Sequence, residues 1–575
     1  MMTLMPARTT FAFLLLTAAC STSAPRTASS AGAPTPVIVV SPTEPREQTA
    51  DQQVQQVLNR LGFGPRPGDV AKVRAMGVDQ WIALQLAPDR IEDSAADRIV
   101  ASYGMLARPT VELVAMYDQG QLAIRQQQKQ QAQQGDSNSK KNIRAELLQN
   151  NPQLRDQLRQ NQRILGDVQS AKLARAVISD RQLQEVMTDF WENHFTVFAG
   201  KGLDRIFIPA YDRDVIRPNA LGKFRDLLGA VAKSPAMLFY LDQWQSAADS
   251  AHPTLVAARQ HAARGKRGLN ENYARELMEL HTLGVDGGYT QRDIIEVARA
   301  LTGWTMNPRV AAEFVFRPEI HDAGQKVVLG HVLPAGRGIA DGEAVLDIVA
   351  RHPATAHFIA LKLATRFVSD APPPALVARA AQTFLETGGD IREVVRTIVT
   401  SPEFFSRGAY RSKVKSPFEL VASALRAVGA QPDTTMRSAQ IVGFLGAPIF
   451  GHQAPNGWPE TGEAWMNSGA ILNRINFGLG LAAGRFPGAS LAQWSETELL
   501  ENATRDQQVD AVVLAFFGGQ ASPDSRQILK SGENPLAAKR AATVNPDNAK
   551  GQQVQLHGLA EVVGLAIGAP EFQRR

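Results

Sequence analysis

The sequence predicts a mainly α-helical globular protein with one small β-hairpin, preceded by a signal peptide and a flexible tether. Three observations lead there. Apolar residues recur at helical rather than alternating spacing along most of the chain. Only Phe314-Val-Phe316 and Lys326-Val-Val-Leu329 read as strand, and the loop between them makes them one hairpin with a long connection. The N-terminal stretch differs from everything after it, a short apolar run followed by a segment rich in Ser, Thr, Ala and Pro.

Taken in order, Thr9 to Ala19 suits a signal-peptide apolar region and is too short to span a bilayer as a helix. Leu16-Thr-Ala-Ala-Cys20 resembles a bacterial lipobox, and Cys20 is the only cysteine. Residues 1–20 are therefore expected to be a lipoprotein-type signal peptide, with Cys20 lipidated and anchoring the chain to a membrane. The alternative is an ordinary secretory signal cut near Ala19. Ser21 after the cysteine is compatible with outer-membrane sorting. The expected location is thus the cell envelope at the outer membrane, the alternative a soluble periplasmic or secreted protein. A lone cysteine leaves no internal disulfide, so packing alone must hold the core.

Residues 21–50 read as a flexible linker. The main helical core is expected over 51–490, and 491–575 as a C-terminal helical segment packing on it. Val54 to Leu61 has helical apolar spacing ended by Gly62-Phe-Gly-Pro65, and Pro67-Gly-Asp69 starts a second helix closed by Gly77. About 126–162 is Gln-rich and lacks aromatics, the pattern of a solvated, partly helical insertion. Leu183 to Phe198, Pro353 to Val368, Val377 to Leu385 and Ile391 to Val399 continue the helical pattern. Glu393 to Arg407 also echoes Glu561 to Arg575, the two sharing Glu-Val-Val, Pro-Glu-Phe and a final Arg. In both, proline stops an apolar helix and phenylalanine can fold back onto the core.

The formal charge of +5 is small for 575 residues, and Lys and Arg are interspersed with acids. That argues against a nucleic-acid partner. No Gly-x-Ser-x-Gly, Gly-x-x-x-x-Gly-Lys, His-Glu-x-x-His or Cys-x-x-Cys occurs. Carboxylates and histidines remain, densest from Asn270 to Trp304. Asn272, Glu276 and Glu279 share one helix face beside the apolar stripe Tyr273, Leu277, Leu280 and Leu283. Gly284 ends that helix, and Thr290 with Asp293 caps the next, on which Asp293 and Glu296 align. A hairpin of the two could gather Glu276, Glu279, Asp293 and Glu296 as ligands for a divalent cation or as a general acid/base, with His281 as a further ligand. Arg275, Arg292 and Arg299 lie close enough to make the same acids a structural ion-pair network. His194, between Phe190, Trp191 and Phe195, reads as a core histidine or a ligand. His321 and Asp322 in the hairpin loop read as a cleft pair, with His321 as proton carrier, or as a self-capped turn. His281 is also explained as a helix C-terminal cation.

Several blocks together resemble one family. They are Leu58-Asn-Arg-Leu-Gly-Phe-Gly-Pro65, Phe190-Trp-Glu-Asn-His-Phe-Thr-Val197, Val215 to Gly222, Pro235-Ala-Met-Leu238 with Tyr240-Leu-Asp242, the Asn270–Trp304 segment, and His321-Asp322 with Lys326 and Leu329-Gly330. Lys413-Val-Lys-Ser-Pro-Phe-Glu-Leu420 and Asn456-Gly-Trp-Pro459 complete the set. The chain resembles domain-of-unknown-function family 1800, exported bacterial proteins of mainly helical build. The resemblance implies no catalytic residues. It implies an exported partner of domain-of-unknown-function family 1501, which resembles the alkaline phosphatase and sulfatase superfamily. Two functions remain open: a lipid-anchored binding or assembly partner of an exported enzyme, and a hydrolase working through Glu276, Glu279, His281, His194, His321 and Asp322, with or without a divalent cation.

Overall fold

Thr49 makes the first cap. Its side chain accepts from Gln52 N while the Gln52 side chain accepts from Thr49 N, and the helix Ala50–Arg60 follows with Val54, Val57 and Leu58 turned inward. Gly77, at φ 89°, closes the next helix, Asp69–Met76, where the spacing predicts it. The computed structural model describes residues 46–133, 152–249, 254, 268–307, 312–432, 436–533 and 556–575. The signal peptide, Cys20 and the tether up to residue 45 lie outside the described residues. So does the middle of the Gln-rich insertion, whose flanks belong to the helices Thr110–Gln133 and Pro152–Ile178, packed against one another.

The architecture is mainly α, as expected. The apolar face of Gln182–His194 sits at the centre, with Phe190, Trp191 and Phe195 fully buried and Trp191 Nε1 donating to Ala220 O at 2.9 Å. Downstream, Asp204–Ala210 runs into a π-helical turn, Tyr211–Ile216. Pro353–Phe367 opens on proline in its first turn, and Pro374–Glu386 and Ile391–Val399 pack beside it. Residues from Val54 to Phe572 share one apolar core, including Val512 and Val562 in the C-terminal helices. The described residues fall in one compact unit, and none of their helices is long and apolar enough to cross a membrane.

The Asn270–Trp304 segment forms the predicted helical pair. Asn270 caps Glu271–Glu279 by accepting from Tyr273 N, and Thr290 and Asp293 form a capping box on Gln291–Ala300. The echo also has a physical basis: Val399 and Gly568 end their helices shortly before Pro402 and Pro570, and Phe404 and Phe572 fold into the core.

The hairpin expectation needs correction. Phe314–Phe316 and Lys326–Val328 do not pair with each other. Strand β1 (Trp304–Met306) pairs antiparallel with β2 (Phe314–Phe316), and β3 (Lys326–Val328) with β4 (His331–Leu333). The second pair closes through Leu329 and Gly330, both at positive φ, as a two-residue turn matched to strand twist requires.

A candidate acid–base cleft beside the Gln182–His194 helix

The acids of Asn270–Trp304 do not come together as one cluster. Asp293 accepts from Leu329 N and Glu296 from Val327 N, both at 2.9 Å, so these two pin strand β3. Glu276 and Glu279 stay half-buried on their own helix. Burial, then repulsion from Glu279, raises the Glu276 pKa against the opposing Arg275. His281 is buried and held neutral, down to about 3, by burial and by Lys362. His194 Nε2 lies 3.1 Å from His281 O, and its ring packs edge-on to Trp191 and Phe195. Burial first, then Lys362 and His281, keeps it well below the usual histidine range. This is the core-histidine geometry.

His321 and Asp322 are buried in a separate group. His321 Nδ1 lies 2.7 Å from Thr302 O and Nε2 3.3 Å from Asp341 Oδ2, while Arg299 Nε donates to Asp322 at 2.7 Å. Lys326 Nζ donates to Asp322 O, Gly324 O and Asp341 Oδ2. The group clamps the chain between the two hairpins, and His321, Asp322, Lys326 and Asp341 are all fully buried. Among the described residues, no group of three or more His, Cys, Asp or Glu is placed to hold a metal ion.

A different set converges. On Gln182–His194 the acids Glu185, Asp189 and Glu192 fall at i, i+4 and i+7, an acidic stripe beside the apolar face of the helix. Pro152–Ile178 faces it with Lys172 and Arg175. Lys172 Nζ spans two of the acids, 2.8 Å from Asp189 Oδ1 and 2.6 Å from Glu192 Oε2. Burial alone would discharge this lysine, but the two carboxyl groups outweigh it and raise its pKa. The π-helical turn brings in Asp212, and Arg217 binds Glu185 at 2.7 Å and Asp212 at 3.3 Å. Such turns recur at functional sites because they re-aim side chains out of helical register.

Glu192 is pushed up to about 8, chiefly by burial, with Lys172 opposing and the Asp212 carboxyl reinforcing. Asp212 goes the other way. Its own burial is outweighed by Arg217 and by the hydrogen bond from Glu192, which hold it low. Glu192 Oε1 meets no N–H or hydroxyl donor, and the Asp212 carboxyl beside it favours the protonated form of Glu192.

The other wall is built by caps and loops. Ser416 and Glu419 form a capping box on Pro417–Ala427, which fixes the Glu419 carboxylate. Arg366, near the end of Pro353–Phe367, binds Asp189 at 3.1 Å, Glu419 at 3.0 Å and Glu460 at 3.4 Å, and Arg575 adds a contact to Glu419 at 3.1 Å. Burial would raise Glu419, but Arg366 and Arg575 bring it down to about 2. Asn193 holds both backbone groups of Trp458, accepting from its N at 2.6 Å and donating to its O at 2.8 Å, and also donates to Glu460 at 3.4 Å. Gly457 permits this approach. It sits at φ +71°, and a Cβ there would lie 2.2 Å from Asn193 O.

The result is a cleft with a polar floor of Lys172, Asp189, Glu192, Arg366 and Glu419 and an aromatic rim. Trp458 lies 4.5 Å from the His452 ring and 6.1 Å from Trp465, and Phe418 and Phe450 line the cleft beside Lys172. The cavity is about 70 Å³, several times what a single water needs. Chemically, the cleft places a protonated acid beside carboxylates paired to cations, the arrangement that separates acid and base roles.

Three of the sequence blocks, Phe190–Val197, Lys413–Leu420 and Asn456–Pro459, meet here. The acidic stripe was a usable signal, since it has the same spacing as the one on Glu271–Glu279. Lys172 and Arg366 carried none. No curated protein and no solved structure matches the chain. The family described as Protein of unknown function (DUF1800) matches residues 56–574, nearly the whole of it. The chain belongs to that family.

Proposed function

We propose that this is an exported cell-envelope protein, lipid-anchored through Cys20, that hydrolyses a polar substrate in the Glu192 cleft. The observation that supports hydrolysis is the carboxyl set. Glu192, protonated near neutral pH, is the general acid for a leaving oxygen. Glu460, held at the mouth by Arg366 and Asn193 and still partly exposed, is the base that takes a proton from water. Purified full-length protein should turn over at least one member of a nitrophenyl ester, phosphate and glycoside panel, at a rate that falls as pH rises through about 8. Glu192→Gln should lower that rate by about 100-fold or more while leaving cooperative unfolding intact. Equal rates in the two proteins would remove Glu192 from catalysis.

A second reading is a binding or assembly role without turnover, beside an exported enzyme of family 1501. It is favoured by the pairing of Lys172, Arg366 and Arg575 with acids at the floor, as in a site that only holds its ligand. Recovery of such an enzyme on the intact protein from envelope extracts, with no turnover of the panel, would favour it. The anchor has its own test: Cys20→Ser should abolish labelling by radioactive palmitate, and a variant that still takes up label would remove the anchor from the proposal.

A further inference from the structure

We infer that the substrate is a neutral saccharide, one pyranose ring lying on Trp458 with a single hydroxyl-bearing substituent or the glycosidic oxygen in the floor pocket. This rests on the hydrolytic reading of the same cleft but adds the class of molecule. The rim and the floor make different demands, and a pyranose meets both. Its C–H face is apolar and flat enough to cover an indole, while its edge is lined with hydroxyls. Trp458 is half-buried, backed by His452 and Trp465, and fixed through both of its backbone groups by Asn193, so its ring is a preorganised platform. Asp189 and Glu460 keep 15 % and 16 % of their side chains exposed at the cleft, which leaves carboxylate acceptors for ring hydroxyls.

The floor argues against an anionic ligand. Lys172 is engaged by Asp189 and Glu192, Arg366 by Asp189, Glu419 and Glu460, and Arg575 by Glu419. A phosphate or sulfate would face those carboxylates without a spare cation. The same cations disfavour a quaternary ammonium ligand, which an aromatic rim could otherwise hold. In the reaction, the bond from the anomeric carbon to the glycosidic oxygen breaks and that oxygen takes the Glu192 proton. The oxygen of a water bonds to the anomeric carbon and its proton passes to Glu460; Glu460 then releases that proton to solvent and Glu192 takes one back, which restores both groups.

Calorimetric titration of the full-length protein tests this, with neutral hexasaccharides of β-1,4-glucose, β-1,4-N-acetylglucosamine and α-1,4-glucose as probes and choline and inorganic phosphate alongside. At least one saccharide should bind. Trp458→Ala should weaken it tenfold or more, Trp458→Phe only a few-fold, and Glu192→Gln should bind it as the wild type does without cleaving it. Binding of no saccharide, or binding that Trp458→Ala leaves unchanged in a folded protein, overturns the inference, as does tight binding of choline or phosphate at this cleft. Saccharide binding without cleavage by the wild type would sink the hydrolytic reading and leave the substrate class standing. Cleavage of a panel ester or phosphate with no saccharide bound would do the reverse.

Discussion

Replacing Glu192 by Gln gives the sharpest prediction, because the substitution imitates the protonated carboxyl and cannot titrate. Burial and the neighbouring Asp212 lift this carboxyl from its ordinary 4.5 to about 8. At about 1.4 kcal/mol per tenfold change in proton affinity, that displacement is worth about 4 to 5 kcal/mol, part of which the depressed Asp212 returns. A raised folded pKa makes the folded chain bind more protons than the unfolded one between 4.5 and about 8. The wild type therefore loses stability across that window as pH rises. The stabilising share is fully present below 4.5, is lost progressively to about 8, and no further loss follows. Glu192→Gln lacks this loss. Its stability relative to wild type should climb by up to about 1.4 kcal/mol per pH unit through the window and then level off. Denaturant unfolding of both proteins from pH 5 to 9 reads the difference directly. A difference that stays flat, or a variant that is strongly destabilised at pH 6, would mean that Glu192 is an ordinary carboxylate bound to Lys172 and no acid at all.

Gly457→Ala should cost at least about 2 kcal/mol, because its Cβ at positive φ meets a backbone oxygen that cannot turn aside; a thermal shift near zero would remove Asn193 from its positioning role. Arg366→Met should cost about 3 to 5 kcal/mol near neutral pH, measured by denaturant unfolding. Since Arg366 is the largest influence holding Glu419 low, that deficit should shrink as pH falls toward 3 and Glu419 protonates; a pH-independent deficit would place the damage elsewhere. Lys326→Met should destabilise by a few kcal/mol, about the low end of that range, by taking from Asp341 the closer of its partners, yet leave turnover at the cleft unchanged in the protein that folds. A matching loss of turnover would tie the His321 group to the cleft after all.

The local parts of the fold were legible because their causes are local. Thr49 with Gln52, and Thr290 with Asp293, are capping boxes that can be read within four residues, and Gly77 and Pro353 punctuate helices through their own backbones. Strand pairing was not legible, because Trp304–Met306 follows directly on the end of Gln291–Ala300 and reads as its tail. What reveals it as a strand is Phe316, its partner across a connection of several residues. The β3–β4 turn did carry a sign, Leu329-Gly330, which a search for short hairpins would have weighed above the longer loop.

The cleft was hidden for a subtler reason. Attention to Phe190, Trp191, His194 and Phe195 follows the apolar face of Gln182–His194, and the acids Glu185, Asp189 and Glu192 on its other face look like an exposed stripe. They are buried or half-buried because Lys172 on the preceding helix and Arg366 from one far along the chain pack against them, and a cation's meaning emerges only when packing brings it to its acid. His194 and Glu192 stand two residues apart, about 200° around the helix. Both are uncharged at neutral pH for one reason, since burial disfavours whichever form carries charge. For the histidine that makes an imidazole packed among aromatic rings. For the glutamate it makes a carboxylic acid with a lysine, a second carboxyl and a solvent-open cleft beside it. The same desolvation yields a silent core residue on one face and a candidate proton donor on the other, and only the cleft distinguishes them.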